Sequence, residues 1–366
     1  MGELRLMKGN EVLAEAAIRC GCDGYFGYPI TPQSEVLETL MVRMPWEETG
    51  MTVLQAESEV AAINMLYGAA GTGKKVMTSS SSPGISLMTE GISYIAGSEL
   101  PCLIINVQRG GPGLGTIQPS QADYFQAVKG GGHGDYKMLV LAPSSVQEMN
   151  DFVSLSFDLA FKYRNPAMIL TDGAIGQMME KVELSDYQKR WTDEEIIEKW
   201  GSWATTGKPS SRSHNIVTSL ELNSNMNELN NRRFQEKYRR MEEEEQRYEA
   251  FRCDDAEYVF VAFGTSARVC QKAVEIVRDN GVKAGLVRPV TLFPFPKKVI
   301  GELAPAVKGF LSVEMNAGQM MEDIKLALFE AGFIRRVEYF GRMGGIIPSP
   351  DEVAEAMIKF INGGDK

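Results

Sequence analysis

Apolar residues recur along the chain in two patterns, short continuous runs and spacings of three and four, which predict strands and helices respectively. Helical spacing first appears over residues 9–21, with Val12, Leu13, Ala16, Ala17 and Cys20 on one side. Short apolar runs predict strands at 22–27, 51–54, 76–80, 100–107, 138–142 and 167–171. Between them, helical patterns pass through Val36, Leu37 and Leu40, through the small residues of 57–68, through Ile85, Met88, Ile92 and Ile95, and over 145–163. Strict alternation of strand and helix predicts an α/β fold with a doubly wound parallel sheet. The pattern breaks after about residue 184. Residues 186–207 carry Trp191, Trp200 and Trp203 with little strand character, and 225–251 is highly charged. Phe234, Tyr238, Met241 and Tyr248 keep helical spacing there, which predicts a helix packing one stripe and solvating its charges. Strands at 258–263, 284–290 and 309–313, with helices at 264–280, 319–331 and 349–361, predict a second α/β domain. The expected division is a first domain over 1–185, a charged, mostly helical connector over 186–254, and a second domain over 255–366.

The chemistry-bearing residues cluster where strands run out. After the strand that holds Tyr25 and Phe26 comes Gly27-Tyr28-Pro29-Ile30-Thr31-Pro32-Gln33-Ser34-Glu35. Proline restricts the residue before it to extended geometry, Thr31 suits an N-cap and Pro32 a first helical position. The helix N–H groups would then point beyond the strand's carboxyl end, where open α/β sheets bind ligands. A strand-to-helix turn without a ligand explains the same residues. The device repeats at Ser82-Pro83-Gly84, where Ser82 can cap, Pro83 can start the helix and Gly84 allows close backbone approach. Arg109 ends a buried strand beside the glycines of 110–115, a placement suited to bidentate binding of a carboxylate or phosphate, or to a surface ion pair. Ser120, with Asp123 three residues on, predicts another cap. Glu57 and Glu59 enter the small-residue helix, and a helix dipole favours acids in its first turn. Glu59 leads directly into Val60-Ala61-Ala62-Ile63, an apolar setting that a dipole alone does not explain. The stretch from Gly68 to Lys75 nearly matches a phosphate-binding Walker loop. Lys75 stands where Ser or Thr should bind Mg²⁺, and the loop follows a helix rather than a strand, so it reads as a helix C-cap and turn. His133, in a glycine-rich loop, reads as solvated.

Composition narrows the class. With 366 residues, 44% hydrophobic and 23% charged, the chain suits an ordinary globular protein of two domains. A net charge of −10 argues against nucleic acid and anionic membranes as partners. No apolar h-region follows Met1-Gly2-Glu3 and no run is long enough to span a bilayer, so a cytoplasmic location is expected. The five cysteines are scattered, and Cys20-x-Cys22 has no second pair or histidine nearby, which predicts neither a metal site nor an iron–sulfur cluster on this chain.

Taken in order, Tyr28-Pro29-Ile30-Thr31-Pro32, Glu59-Val60-Ala61-Ala62-Ile63-Asn64, Thr78-Ser79-Ser80-Ser81-Ser82-Pro83-Gly84 and Gln108-Arg109-Gly110-Gly111-Pro112-Gly113 resemble the thiamine-diphosphate-dependent 2-oxoacid:ferredoxin oxidoreductases. The likeness is to the subunit that holds the pyrimidine-binding domain. The stretches around Val261-Ala262-Phe263-Gly264-Thr265-Ser266 and Gly285-Leu286-Val287-Arg288-Pro289-Val290 resemble that subunit's transketolase-C-like second domain. The resemblance covers nearly the whole chain and is thinnest between about 186 and 254. Ala56 to Val60, Gly110 to Gly115 and Gly130 to Tyr136 resemble the branched-chain (3-methyl-2-oxobutanoate) enzyme, with the 2-oxoglutarate enzyme as the near rival.

The resemblance implies roles. Tyr28, Pro29, Ile30, Thr31, Glu59 and Ser82 match cofactor-binding positions, and Glu59, Thr31 and Arg109 match catalytic ones. Glu59 would bond N1′ of the aminopyrimidine, and a carboxylate in apolar surroundings can share that proton. Arg109 and Thr31 would hold the substrate carboxylate. The cofactor serves as electron sink for decarboxylation, and the acyl group passes to coenzyme A. The family's Gly-Asp-Gly motif for diphosphate and Mg²⁺ is missing, and Thr171-Asp172-Gly173 is only an echo of it. The implied partners are therefore a subunit that binds thiamine diphosphate and Mg²⁺, a gamma-type subunit, a ferredoxin-like iron–sulfur subunit, and ferredoxin as acceptor. The alternatives are a non-catalytic scaffold of the same fold, which would not need Thr31, Glu59 and Arg109 together, and a Walker-type nucleotidase.

Overall fold

Three sheets organise the chain, which is described over residues 3–363 in a computed structural model. β1 (Glu3–Lys8) and α1 (Gly9–Arg19) precede β2 (Gly24–Gly27). After it come α2 (Ser34–Arg43), the single turn α3 (Pro45–Glu48), β3 (Thr52–Gln55) and α4 (Glu59–Ala70). β4 (Val76–Ser80), α5 (Ser82–Gly97), β5 (Cys102–Gln108), α6 (Tyr124–Val128) and β6 (Leu139–Leu141) follow. α7 (Val146–Tyr163), β7 (Pro166–Asp172), α8 (Gly173–Gln177) and β8 (Met179–Leu184) lead to two connecting helices, α9 (Asp193–Trp200) and α10 (Ser224–Glu244). The last part holds β9 (Tyr248–Phe251), β10 (Tyr258–Val261), α11 (Gly264–Asp279), β11 (Ala284–Pro289), β12 (Thr291–Phe293) and α12 (Lys297–Leu303). β13 (Gly309–Glu314), α13 (Met321–Glu330), β14 (Arg336–Gly341) and α14 (Pro350–Ile361) complete it.

The large sheet runs β12-β6-β7-β5-β4-β2-β3, parallel except for β12 at one edge. The second sheet runs β14-β13-β10-β11-β9, parallel except for β9. β1 and β8 form a separate antiparallel ribbon. β5 and β7 are buried along their whole length, as parallel strands covered on both faces must be, and this explains their largely apolar composition. No helix among the described residues is long and apolar enough to cross a membrane.

The structure departs from the periodicity in the charged segment. The expected helix over 225–251 stops at Glu244, and Tyr248 belongs to a strand. Tertiary pairing overrides the helical spacing there: β9 zips antiparallel onto β11, and the Arg247 N–H donates to Thr291 Oγ1 at 2.9 Å. Nor are all the charges solvated. Glu245 is buried, where it accepts from Lys162 Nζ at 2.7 Å and from Tyr163 Oη at 2.9 Å. Tyr238 and Met241 are buried as the stripe predicts. The tryptophan segment packs on α7, with Phe161 at 5.0 Å from Trp191 and 5.1 Å from Trp200, centroid to centroid. Lys75, of the near-Walker stretch, buries its ammonium on the Cys20 carbonyl at 2.9 Å and lies over the Trp191 ring.

Arg288 of β11 crosses from the second sheet to the first layer. Its side chain is 2% exposed and forks onto Glu148 of α7 at 2.6 and 3.0 Å, and its Nε donates to Glu249 of β9 at 2.9 Å. Arg288→Met leaves Glu148 facing the gap with no cation. The expected loss is about 3 kcal/mol or more in urea unfolding, the usual result of removing one partner from a buried pair. A loss below about 1 kcal/mol would show that the fork does not join the two parts of the chain.

Candidate functional site

β5, β4, β2 and β3 are adjacent and parallel, so the segments leaving their carboxyl ends share one rim. The chain goes from β2 to β3 on one side and returns to β4 on the other, a switch point that opens a crevice at this rim. Tyr28, Pro29 and Ile30 leave β2 half-buried, and Thr31 is exposed. Gln33 shapes the turn. Its N–H donates to the Ile30 carbonyl at 3.0 Å and its Nε2 to the Tyr28 carbonyl at 3.1 Å. Ser79 of β4 donates to Gln33 Oε1 at 2.6 Å and bonds Tyr25 Oη at 2.8 Å. Burial pushes the Tyr25 phenol up to about 12, so it stays neutral. Asn10 Nδ2 holds the Pro32 carbonyl at 2.6 Å. Thr31 is therefore not the N-cap and Pro32 not the first helical residue. Gln33 occupies the N-cap position, without a side-chain cap, and the helix starts at Ser34, because the preceding backbone groups are spent on the turn.

Glu59 is the first residue of α4, after Ser58, whose hydroxyl accepts from the Ala61 N–H at 3.2 Å. Glu57 lies outside the helix and is exposed, whereas Glu59 is only 7% exposed. Among the described residues no hydrogen bond reaches the Glu59 carboxylate. Its side chain lies on Gly84 of α5. A methyl group at Gly84 would stand 2.8 Å from Glu59 Oε1 and 2.1 Å from Ser80 Oγ. Two turns further along the same face, a methyl at Gly91 would stand 2.6 Å from Ile63 Cγ2. Gly84 and Gly91 lie two turns apart on one face of α5, and there Glu59 and Ile63 of α4 lie against that helix. What approaches Gly84 is thus a pair of side chains, Ser80 and Glu59, rather than a backbone segment.

Ser82 does not cap α5; Ser81 occupies the N-cap position, and Ser82 and Pro83 open the first turn. The Ser82 hydroxyl instead reaches the backbone of Arg109, accepting from its N–H at 3.0 Å and donating to its carbonyl at 3.2 Å. The Arg109 guanidinium donates to the Thr31 carbonyl and to the Leu114 carbonyl, both at 3.0 Å, and its Nε is buried without a partner. It makes no surface ion pair among the described residues. Thr31, Arg109, Ser82, Gly84 and Glu59 thus form one chain of contacts. Ser120 does not cap α6, since its hydroxyl donates to the Met315 carbonyl at 3.2 Å, and Asp123 takes the cap position without using its side chain. Asp123 accepts from Asn106 at 2.8 Å; burial raises its carboxyl above the ordinary range, against the pull of Ser82 and Asn106. Asp172 caps α8 through the Ala174 N–H at 2.9 Å and accepts from Thr265 Oγ1 at 2.8 Å, a structural use of the Gly-Asp-Gly echo. Burial raises its carboxyl too. His133 is exposed and apart from this rim. Gln33, Ser79 and Asn10 escaped sequence reasoning. Gln33 and Ser79 lie inside the two proline-marked stretches, which was the only signal available.

Two family descriptions match this chain. Residues 15–249 match pyruvate flavodoxin/ferredoxin oxidoreductase, thiamine diP-bdg, and residues 256–353 match pyruvate:ferredoxin oxidoreductase core domain II. The chain is 50% identical, over 96% of both chains, to ketoisovalerate oxidoreductase subunit VorB of Methanothermobacter thermautotrophicus. It is 33% identical to 2-oxoglutarate synthase subunit KorA of Methanocaldococcus jannaschii, over 97% of this chain and 100% of that one. Among solved structures, the 2-oxoglutarate:ferredoxin oxidoreductase from Magnetococcus marinus, with 2-oxoglutarate, coenzyme A and succinyl-CoA bound, superposes with a TM-score of 0.84 at 25% identity. That match covers 98% of this chain and 66% of the other, so this chain spans just under two thirds of its length. An inactive tetramer of a split-gene transketolase shares the fold, with a TM-score of 0.61 at 13% identity. With the strand-end rim in place and both family matches spanning most of the sequence, the chain belongs to the thiamine-diphosphate-dependent 2-oxoacid:ferredoxin oxidoreductases, as the kind of subunit that carries the pyrimidine-binding domain.

Proposed function

We propose that this chain is one subunit of a complex that oxidatively decarboxylates a branched-chain 2-oxoacid, such as 3-methyl-2-oxobutanoate, to acyl-CoA and CO₂, with electrons passed to ferredoxin. One observation carries the catalytic part: Glu59 is buried, has no hydrogen-bond partner among the described residues, and lies on a glycine floor. A buried carboxylate without a partner is costly. A flat heteroaromatic ring with a basic nitrogen at its edge fits such a group. Bound thiamine diphosphate would supply an electron sink for the decarboxylation.

The chain's own residues would act as follows. Glu59 holds a proton at the edge of the aminopyrimidine. Tyr28, Pro29, Ile30 and Thr31 line the turn beside it, and Gln33 fixes that turn. Ser82 contributes by fixing the Arg109 backbone rather than by direct contact with the ring. Two of the five guanidinium N–H donors of Arg109 hold carbonyls, which leaves others for a substrate carboxylate beside Thr31. Diphosphate and Mg²⁺ would be held by a partner subunit, with further gamma-type and iron–sulfur subunits and a cytoplasmic ferredoxin completing the electron path. The branched-chain assignment rests on 50% identity to a ketoisovalerate enzyme subunit against 33% to a 2-oxoglutarate one. Arg109 is the one arginine in the site motifs, and it would be engaged by the 2-oxoacid's own carboxylate.

Three outcomes are expected. Calorimetry on the isolated chain should show little Mg²⁺-dependent binding of thiamine diphosphate, restored by the partner subunit; tight binding to the chain alone contradicts a split site. The complex should have a higher kcat/KM for 3-methyl-2-oxobutanoate than for 2-oxoglutarate with ferredoxin or viologen as acceptor, and the reverse order would favour the 2-oxoglutarate reading. Glu59→Gln should slow C2 deuterium exchange of bound cofactor, read by NMR in the assembled complex, by on the order of a hundredfold. The exposed Glu57→Gln should change it little. Wild-type exchange in Glu59→Gln beside slow exchange in Glu57→Gln would put the role on the wrong carboxylate, and no change in either would favour a scaffold.

A further inference from the structure

The end of β4 carries a run of hydroxyls that the fold uses unevenly. Side chains of a strand alternate between faces, so Ser79 points one way and Thr78 and Ser80 the other. Ser79 is fully engaged, by Tyr25 and Gln33. Ser80 is 0% exposed, and its Oγ has no hydrogen-bond partner. Burying a hydroxyl without a partner is unfavourable, and folded proteins pair almost all such groups. Glu59 lies close by across Gly84. Ser80 Oγ and Glu59 Oε1 border the same missing side chain, at 2.1 and 2.8 Å from where a Gly84 methyl would stand. One is a donor without an acceptor and the other a carboxylate without a donor. Thr78 and Ser81 also have unpartnered hydroxyls, but of the three Ser80 is the one that borders the Gly84 surface with the carboxylate.

No hydrogen bond joins Ser80 and Glu59 in this structure; we infer that Ser80 is a positioning residue for Glu59, and that on ligand binding its hydroxyl donates to one carboxylate oxygen and so aims the other at the ligand. The inference rests on the reading that Glu59 meets the aminopyrimidine of thiamine diphosphate. It adds a second, protein-borne partner for that carboxylate. A carboxylate with two oxygens and a single ligand contact is free to rotate about its last bond, and a hydroxyl on the far oxygen removes that freedom. The requirement for glycine at position 84 then has a second cause, since any side chain there would separate the hydroxyl from the carboxylate.

The test uses the assembled complex loaded with thiamine diphosphate and Mg²⁺, in wild type, Ser80→Ala, Ser80→Cys and Glu59→Gln. The readouts are C2 deuterium exchange by NMR, the near-ultraviolet circular dichroism that distinguishes the amino and imino forms of the bound pyrimidine, and cofactor affinity by calorimetry. Ser80→Ala should slow exchange about tenfold, the size of one charge-assisted hydrogen bond, and lower the imino fraction at fixed pH. Assembly and cofactor affinity should stay within about twofold, and Ser80→Cys, a weak donor of similar shape, should fall between. If Ser80→Ala matches wild type in exchange and dichroism while Glu59→Gln is slow, Ser80 has no positioning role and the Glu59 reading stands. If Glu59→Gln also matches wild type, the Glu59 reading itself is wrong. Loss of cofactor affinity or assembly in Ser80→Ala, without the change in imino fraction, would assign the hydroxyl a structural role and overturn the inference.

Discussion

The site depends on the absence of two side chains. α4 begins with a carboxylate that is turned into the protein, and a helix N-terminus moderates but does not remove the cost of burying it. The space it occupies exists because Gly84 and Gly91 of α5 have no Cβ, so that Glu59 and Ile63 can lie directly on that helix. At Gly84 the neighbouring atoms are the carboxylate and a serine hydroxyl, and at Gly91 they are the Ile63 side chain. One close helix contact therefore sets both the depth of the carboxylate and its polar surroundings.

Around that contact the backbone is held by side chains, not by regular ladders. The Ser82 hydroxyl joins the start of α5 to the end of β5 through both backbone groups of Arg109. Arg109 in turn holds the carbonyl of Thr31, across the rim, and that of Leu114 in its own loop. Gln33 does the same for the turn after β2, with Ser79 and Tyr25 behind it. These bonds run between segments that leave different strands, so they tie the strand ends to one another. Displacing one strand end would disturb the others.

The second α/β unit packs against segments that follow β5 and β7. Gln121 donates to the Phe263 carbonyl at 2.7 Å and accepts from Ser266 Oγ at 2.7 Å and from the Met315 N–H at 3.0 Å. Thr265 meets Asp172. A methyl on Gly110, next to Arg109, would stand 3.0 Å from the backbone of Gly344 and Gly345. The loop that carries the arginine is thus wedged against the far end of the chain. This gives the second unit a part in the site without any of its side chains being among the expected catalytic residues.

Local order was legible in the sequence because it depends on neighbours in sequence. Hydrophobic period identified most of the strands of both large sheets, and the prolines and glycines marked the strand ends where Tyr28, Ser82, Arg109 and Glu59 gather. The contrast between Glu57 and Glu59 was also visible, since only Glu59 leads directly into an apolar run. What the residues could not disclose were the partners. Thr31, Ser82 and Ser120 all have the chemistry of helix caps, yet none of them caps its helix: the Ser82 and Ser120 hydroxyls bond backbone groups that the tertiary fold brings near, and Thr31 offers its carbonyl to Arg109. Tyr248 kept helical spacing but became a strand, since pairing with β11 offered its backbone more than one further helical turn. The edge strand β12 and the second-sheet strand β14 are set by segments distant in sequence. The sequence by itself determined which residues would stand at the strand ends. The tertiary structure alone decided which of them touch, because hydrogen bonds and close packing between distant segments depend on positions in space that no local pattern encodes.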